Sequence, residues 1–281
     1  MSEHDAHAAA GDRAAAMLQL QELSKSFGGL RALDCLTLSV RRGDIHSLIG
    51  PNGAGKTCVF NCTMGQYRPD SGTILFEGLR IEGLAPDRVA LAGITRTYQN
   101  IRLFRNMTAQ ENVMVGYHTR LRSGLWDTLL ATPRFRREEA EAQTKARQLL
   151  DLVGLSGRGH LPARALAYGE QRRLEIARAL AAGPRLLLLD EPAAGMNPAE
   201  SDRLMTLIGR IRDERELTII LIEHEMRLVM GISDRISVLD RGRLLAEGLP
   251  QEIRRDERVI AAYLGTGPAA QRLAAQDRRE Y

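Results

Sequence analysis

What this chain lacks narrows it first. Its 281 residues are 44% hydrophobic, yet no window reaches the roughly 18 consecutive apolar residues that a membrane span needs. No segment is expected to cross a bilayer, which leaves the chain free to sit against one. The first residues show no basic stretch followed by an apolar core, so no secretion signal is expected. Cysteine is scarce: Cys35, Cys58 and Cys62. Cys58 and Cys62 stand four apart on an expected helix, but no histidine or second cysteine pair completes a metal set. All three read as buried free thiols in a reducing cytoplasm. Lysine is as rare: Lys25, Lys56 and Lys145 are the only three among 39 basic residues, leaving 36 arginines. The net charge of +4 is too small to argue for a nucleic-acid partner. There is no internal repeat, coiled coil or low-complexity linker.

What remains is an alternation of strand and helix patterns, which predicts an α/β protein with one sizeable core. Residues 1–16 are polar and alanine-rich and read as a disordered tail, with His4 and His7 solvated. Order is expected from Met17, where Leu18 and Leu20 alternate with glutamines as in a strand. Buried strands are expected in "IHSLIG" (45–50), "GTILFEG" (72–78), "RLLLLD" (185–190) and "LTIILI" (217–222). "RISVLDRGRLLAEG" (235–248) reads as a hairpin turning at 240–242. Residues 100–165 change to a helical character. Thr108 and Glu111 have capping-box spacing, and 133–155 is a charged amphipathic pattern. A helical subdomain is placed at about 100–165, with a further helix over 166–180. The tail 266–281 reads as loose.

The motif that carries chemistry is Gly50-Pro51-Asn52-Gly53-Ala54-Gly55-Lys56-Thr57, a full match to G-x-x-x-x-G-K-[ST] with a strand before and a helix-compatible run after. Its glycines let backbone N–H groups turn inward onto phosphate oxygens, and the helix that follows aims its positive end at the same charge. Lys56 is expected to bridge the β- and γ-phosphates and the Thr57 hydroxyl to hold Mg²⁺. A slim ammonium suits such a crowded site better than a guanidinium. In "LLLLDEP" (186–192), Asp190 emerges from a buried strand to organise the Mg²⁺ shell, and Glu191 is positioned to polarise an attacking water.

"LAYGEQRRLEIARAL" (166–180) decides between phosphate-loop families. It resembles the signature of ATP-binding cassette (ABC) proteins, usually Leu-Ser-Gly-Gly-Gln before an amphipathic helix. The resemblance runs from about Leu18 to Gly265, giving one ABC ATPase domain over 17–265. It implies an α/β fold: a phosphate-loop ABC ATPase core, an N-terminal antiparallel β-subdomain and an inserted α-helical subdomain. It also implies ATP and Mg²⁺ as ligands and roles for individual residues. Phe27 matches the aromatic that stacks on adenine. Gln99 in "RTYQN" (96–100) matches the glutamine that links the catalytic core to the helical subdomain and reaches the metal. "AAGMNP" (193–198) falls where the D-loop belongs, and His224 in "LIEHEM" (221–226) matches the switch histidine. Ala167, Tyr168, Gly169 and Glu170 form the signature that meets ATP from a second subunit. This sequence departs from the family at Ala167 (usually serine), Glu170 (usually glutamine) and Asn197 (usually aspartate). Losing the serine hydroxyl removes one hydrogen bond to a charged phosphate, worth roughly 1.5–3 kcal/mol. The Gly169 N–H and the helix N-terminus remain, so activity is expected to survive.

One cassette without membrane spans is expected to pair with itself or a sister ATPase and to drive separate permease subunits, at the cytoplasmic face of the membrane. A soluble ABC ATPase working on DNA or ribosomes would resemble a twin cassette or carry long coiled coils. The signature and His224 argue against a nucleotide kinase. "RTYQNIRLF" (96–104), "DEPAAGMNP" (190–198), "IEHEMRLVMGISDRI" (222–236) and "AAYLG" (261–265) resemble the ATP-binding subunits of branched-chain amino acid importers, which use a periplasmic or lipid-anchored binding protein. Ala167 and Asn197 are familiar in that group. Urea and amide importers are close relatives, the lipopolysaccharide-export ATPase a more distant one, and cargo is not fixed by these residues. Around Phe104, the apolar Ile101, Leu103 and Met107 mix with Arg102 and Arg105; the strip reads as ordinary subdomain core or, by resemblance to ABC importers, as part of the groove that receives a membrane subunit's coupling helix.

Overall fold

The structure, a computed structural model, describes residues 16–118 and 132–264. Along the chain come β1 (Ala16–Phe27), β2 (Leu30–Arg41), β3 (Ile45–Ile49), α1 (Lys56–Thr63), β4 (Ser71–Phe76), β5 (Leu79–Arg80), α2 (Pro86–Ala92), β6 (Ile94–Arg96), α3 (Ala109–Tyr117) and α4 (Pro133–Leu152). There follow α5 (Tyr168–Ala181), β7 (Leu186–Asp190), α6 (Pro198–Arg215), β8 (Thr218–Ile222), α7 (Met226–Ile232), β9 (Arg235–Asp240), β10 (Arg243–Gly248), α8 (Pro250–Arg255) and α9 (Glu257–Leu264). Two compact units divide these elements, one of residues 1–86 and 218–281, the other of 87–217. Ala16, expected in the tail, is the first residue of β1. The rest of that tail and the tail after 265 lie outside the described residues.

The first unit contains an antiparallel sheet in the order β2-β1-β4-β5. The alternation read at Leu18 and Leu20 holds: both are buried while Gln19 and Gln21 are not. Beside this sheet, β3 runs parallel to β8 and to β9, and β10 returns antiparallel on β9. Every residue of β3 and β8 is buried, as in parallel strands covered on both faces. The β9–β10 hairpin turns at Arg241 and Gly242, whose φ values of 46° and 80° suit a type I′ turn. Cys58 and Cys62 are buried on α1, but Cys35 is exposed. It sits at φ 49°, within the register shift where the β1–β2 pairing passes from Leu23–Leu36 to Lys25–Leu33, with its N–H on Ser24 Oγ at 3.0 Å. The expectation of three buried thiols fails there because an irregular strand turns the side chain outward.

In the second unit, β6 pairs parallel with β7, and α3, α4 and α5 pack together. Thr108 starts α3 with the capping box read from its sequence: its hydroxyl accepts from Glu111 N–H at 3.2 Å and Glu111 Oε2 accepts from Thr108 N–H at 2.7 Å. Helices α3 and α5 approach closely at Gly116, where a Cβ would fall 2.1 Å from Arg178 O. The amphipathic stretch at 133–155 ends as a helix at Leu152, before Gly154 at φ 71°.

Candidate active site

In the first unit, the phosphate loop leaves the buried strand β3 at Gly50 and enters α1 at Lys56. Two of its glycines are required by the fold. Gly50 has φ 147° and lies so close to β9 that a Cβ would stand 2.2 Å from Leu239 O. Gly55 has φ 103°, and its Cβ would stand 2.6 Å from Ala32 O of β2. From the far side, the hairpin turn braces the loop: Gly242 N–H donates to Ala54 O at 3.0 Å, and Gly242 O accepts from Asp34 N–H at 3.0 Å. Gly242 had registered only as a turn residue, because nothing local marks it as a brace. Gly55 caps α1 without any side-chain hydrogen bond, which leaves the first N–H groups of α1 to an anion. Lys56 folds back, donating to Gly50 O at 2.6 Å and Pro51 O at 3.0 Å. Pro51 is half-buried, Asn52, Gly53 and Thr57 are exposed, and Ala54 is buried.

Phe27 lies in the same unit, 44% exposed. Tyr67 meets it edge-on at 5.1 Å, and Lys25 Nζ sits 5.5 Å over its ring. Asp70 holds that corner, accepting from Lys25 Nζ at 2.8 Å and Ser26 N–H at 2.6 Å. The paired lysine holds the Asp70 carboxyl below the usual carboxylate range. His224 follows β8 with an exposed ring, next to the buried Glu223.

The second unit supplies the carboxylates. Asp190 ends the buried strand β7 and is bound by Arg96 at 2.6 Å, both side chains being about 5% exposed or less. The next residue, Glu191, has φ 46°, a left-handed conformation that costs a non-glycine residue of order 1 kcal/mol or more and concentrates at functional sites. Its carboxylate accepts from Gln99 Nε2 at 2.9 Å. Thus Gln99 and Glu191, named separately from sequence, form one pair.

The backbone at Gln99 is held by a residue that sequence reading missed. Arg172 of α5 is 2% exposed and donates to Tyr98 O at 2.6 Å and also to Gln99 O, while pairing with the equally buried Glu175 at 3.1 Å. Glu175 Oε1 accepts from the N–H groups of Tyr98 and Arg102, each at 3.4 Å. The signature helix therefore anchors the Gln99 segment. The only sequence signal was an Arg–Glu pair at i, i+3 on the core face of an amphipathic helix.

At the start of α5, Ala167 offers no side-chain cap, but Glu170 Oε2 accepts Ala167 N–H at 3.0 Å. Tyr168 Oη donates to Ala194 O at 2.9 Å. A Cβ at Gly169 would meet nothing nearer than Met196 Cε at 3.9 Å. Asn197 caps α6, accepting Glu200 N–H at 3.0 Å, with Glu200 Oε2 accepting Asn197 N–H at 3.1 Å. Asparagine caps as well as aspartate, so this departure costs the helix nothing.

Residues 33–194 match the family profile described as ABC transporter. The chain belongs to the ABC transporter ATP-binding family. Membership makes it an ATP-binding protein and an ATPase. Residues 243–269 match a second profile, the branched-chain amino acid ATP-binding cassette transporter. Over 249 residues the chain is 50% identical to the high-affinity branched-chain amino acid transport ATP-binding protein LivG of Salmonella typhimurium, covering 89% of this chain and 98% of that one. BraF of Pseudomonas aeruginosa, of the same description, is 49% identical over equal shares. Among solved structures, the ADP form of an ATP-binding cassette of an ABC transporter is similar with a TM-score of 0.78 and 29% identity, covering 89% of this chain and 99% of that one. A nucleotide-free cassette is similar at a TM-score of 0.77 with the same identity and coverage.

Proposed function

We propose that this ABC ATPase is the subunit that powers uptake of branched-chain amino acids through separate permease subunits. The reading is carried by its 50% identity to LivG along 89% of its length. ATP sits on the phosphate loop. Backbone N–H groups of 50–57 and the start of α1 hold its phosphates, and Phe27 stacks on the base. Lys56, now on the loop's own carbonyls, turns to the β- and γ-phosphates. Mg²⁺ would supply charge neutralisation at those phosphates. The exposed Thr57 hydroxyl, the Asp190 carboxylate fixed by Arg96 and the Gln99 side chain are the protein oxygens offered. Such an ion is bound through one or two carboxylates, here Asp190, beside substrate phosphates and water. Glu191 takes the proton of the attacking water, Gln99 orients that carboxylate, and His224 approaches the γ-phosphate.

The signature, Ala167 to Glu170, meets ATP held by a second cassette, a copy of this chain or a sister subunit, at the cytoplasmic face of the membrane. No nucleic acid is involved, and the binding protein acts only through the permease. Force leaves through the strip that follows Gln99. Ile101, Leu103 and Met107 are half-buried there and Phe104 is 49% exposed, with Arg178 above its ring at 5.9 Å. An apolar strip left open in this way suits a coupling helix.

The test is uptake of labelled leucine in cells, together with ATPase activity of the purified complex. Glu191→Gln is expected to keep ATP binding and lower turnover about 10²–10⁴-fold. Phe104→Ala is expected to keep nucleotide binding and lose uptake. Full leucine uptake in cells deleted for this subunit contradicts the branched-chain reading.

A further inference from the structure

Tyr168 opens the signature helix α5, and its side chain is engaged within its own unit. The hydroxyl donates to Ala194 O at 2.9 Å and accepts from Arg172 Nη2 at 3.4 Å. The Arg172 guanidinium lies 5.8 Å from the ring centre. On its other side the ring runs along Gly195, at φ 78°, where a Cβ would stand 3.4 Å from Tyr168 Cε1. The usual signature, Leu-Ser-Gly-Gly-Gln, has glycine at this place, so a cassette of that pattern has no side chain to make these contacts.

The two hydrogen bonds of the hydroxyl complete a ring. Arg172 also donates to Gln99 O. Gln99 Nε2 donates to the Glu191 carboxylate at 2.9 Å. Glu191 O accepts from Ala194 N–H at 3.1 Å, and Ala194 O leads back to Tyr168. Glu191 is therefore held at its carboxylate and at its carbonyl. A non-glycine residue at φ 46° persists only where its surroundings over-determine it, and the ring is such a surrounding. Its fixed corner is Arg172, buried and paired with Glu175 at 3.1 Å. We propose that Tyr168 is a positioning residue for hydrolysis: its hydroxyl ties the 191–194 turn to the signature helix and so sets where the Glu191 carboxylate stands. This rests on the reading of Glu191 as the base that takes the water's proton.

The test measures ATP hydrolysis by the assembled transporter carrying Tyr168→Phe, which keeps the ring and removes the hydroxyl. Its kcat is expected to fall about 3- to 10-fold, the effect of one hydrogen bond. Its KM for ATP is expected within about twofold of wild type, a split that a merely structural role would not give. The melting temperature of the free subunit should stay within about three degrees of wild type. Single-turnover hydrolysis of labelled ATP by Glu191→Gln and by the double variant completes a cycle. A hydroxyl that acts through Glu191 loses its effect there, so the double variant should be slower than Glu191→Gln by less than about 1.5-fold. Unchanged kcat in Tyr168→Phe overturns the inference. So does a raised KM with kcat intact, which would put the hydroxyl on the ATP of a second cassette. The full loss repeated on the Glu191→Gln background overturns it as well, because the hydroxyl then acts by another route. A wild-type rate in Glu191→Gln removes the base assignment, and the inference with it.

Discussion

Gly50 and Gly169 belong to the two motifs that mark this family, and the fold treats them differently. At Gly50 the chain demands glycine for its own sake: φ is 147° and a Cβ would strike Leu239 O at 2.2 Å. At Gly169 the chain demands nothing: the backbone is ordinary, and the nearest atom to a Cβ is 3.9 Å away. The fold of the subunit gives no reason of its own for glycine at 169, and the proposed function supplies one in the ATP of a second cassette. The phosphate loop is a finished device within its unit, braced by Ala32, Gly242 and Leu239. The signature, on the proposed function, works only against a second cassette.

The contrast can be broken in several places. Gly50→Ala combines left-handed strain with a backbone overlap. It is expected to cost about 3–6 kcal/mol of stability and to abolish ATP binding, read by denaturant melts and nucleotide titration. Arg172→Met leaves Glu175 buried without its partner and strips a donor from Tyr98 O and Gln99 O. A loss of about 3–5 kcal/mol is expected, together with reduced ATPase activity as the Gln99–Glu191 pair loosens.

His46, on the strand that feeds the loop, sharpens the comparison with a pH dependence. It is wholly buried with Nε2 on Ser237 Oγ at 2.8 Å, and burial pushes its pKa down to about 4. The unfolded chain takes up this proton near pH 6.5, the folded one only near 4. Stability is therefore full above pH 6.5 and falls as pH drops toward 4, by about 3 kcal/mol. Melts across that range should show the decline, and His46→Gln should flatten it. Smallest is Gly169→Ala in the free subunit: a change within about 0.5 kcal/mol, with ATP affinity unaltered.

Much of this was legible in the sequence because local rules carried it. The phosphate loop announced itself through glycine spacing between a strand and a helix, and the α3 start through Thr108 and Glu111. The strands β3, β7 and β8 stood out as apolar runs. The 240–242 turn was readable because Gly242 suits positive φ between two strand-like runs; that Arg241 takes φ 46° was not. What stayed hidden depends on distant pairing. Arg96 meets Asp190 from 94 residues away, and Arg172 reaches the Gln99 segment from 73. Strand β2 lacks a clean alternation, since its pairing with β1 slips in several places, and the same slips expose Cys35. No spacing rule reports such irregularities. Nor does one reveal that Glu191 sits in a left-handed conformation.

The most direct measurement of the central contrast is Gly169→Asp, assayed in both settings. ATP affinity and melting temperature are taken on the free subunit, and hydrolysis on the assembled transporter. A carboxylate at this point meets no clash inside its own unit, its nearest polar neighbour being Glu200 Oε1 at 4.0 Å from the Cβ, and on the proposed function it would face phosphate across a dimer. The expected result is a free subunit that melts and binds ATP as wild type does, with hydrolysis by the complex falling more than about tenfold. Normal hydrolysis by the complex, or equal loss of ATP binding in the free subunit, would contradict it.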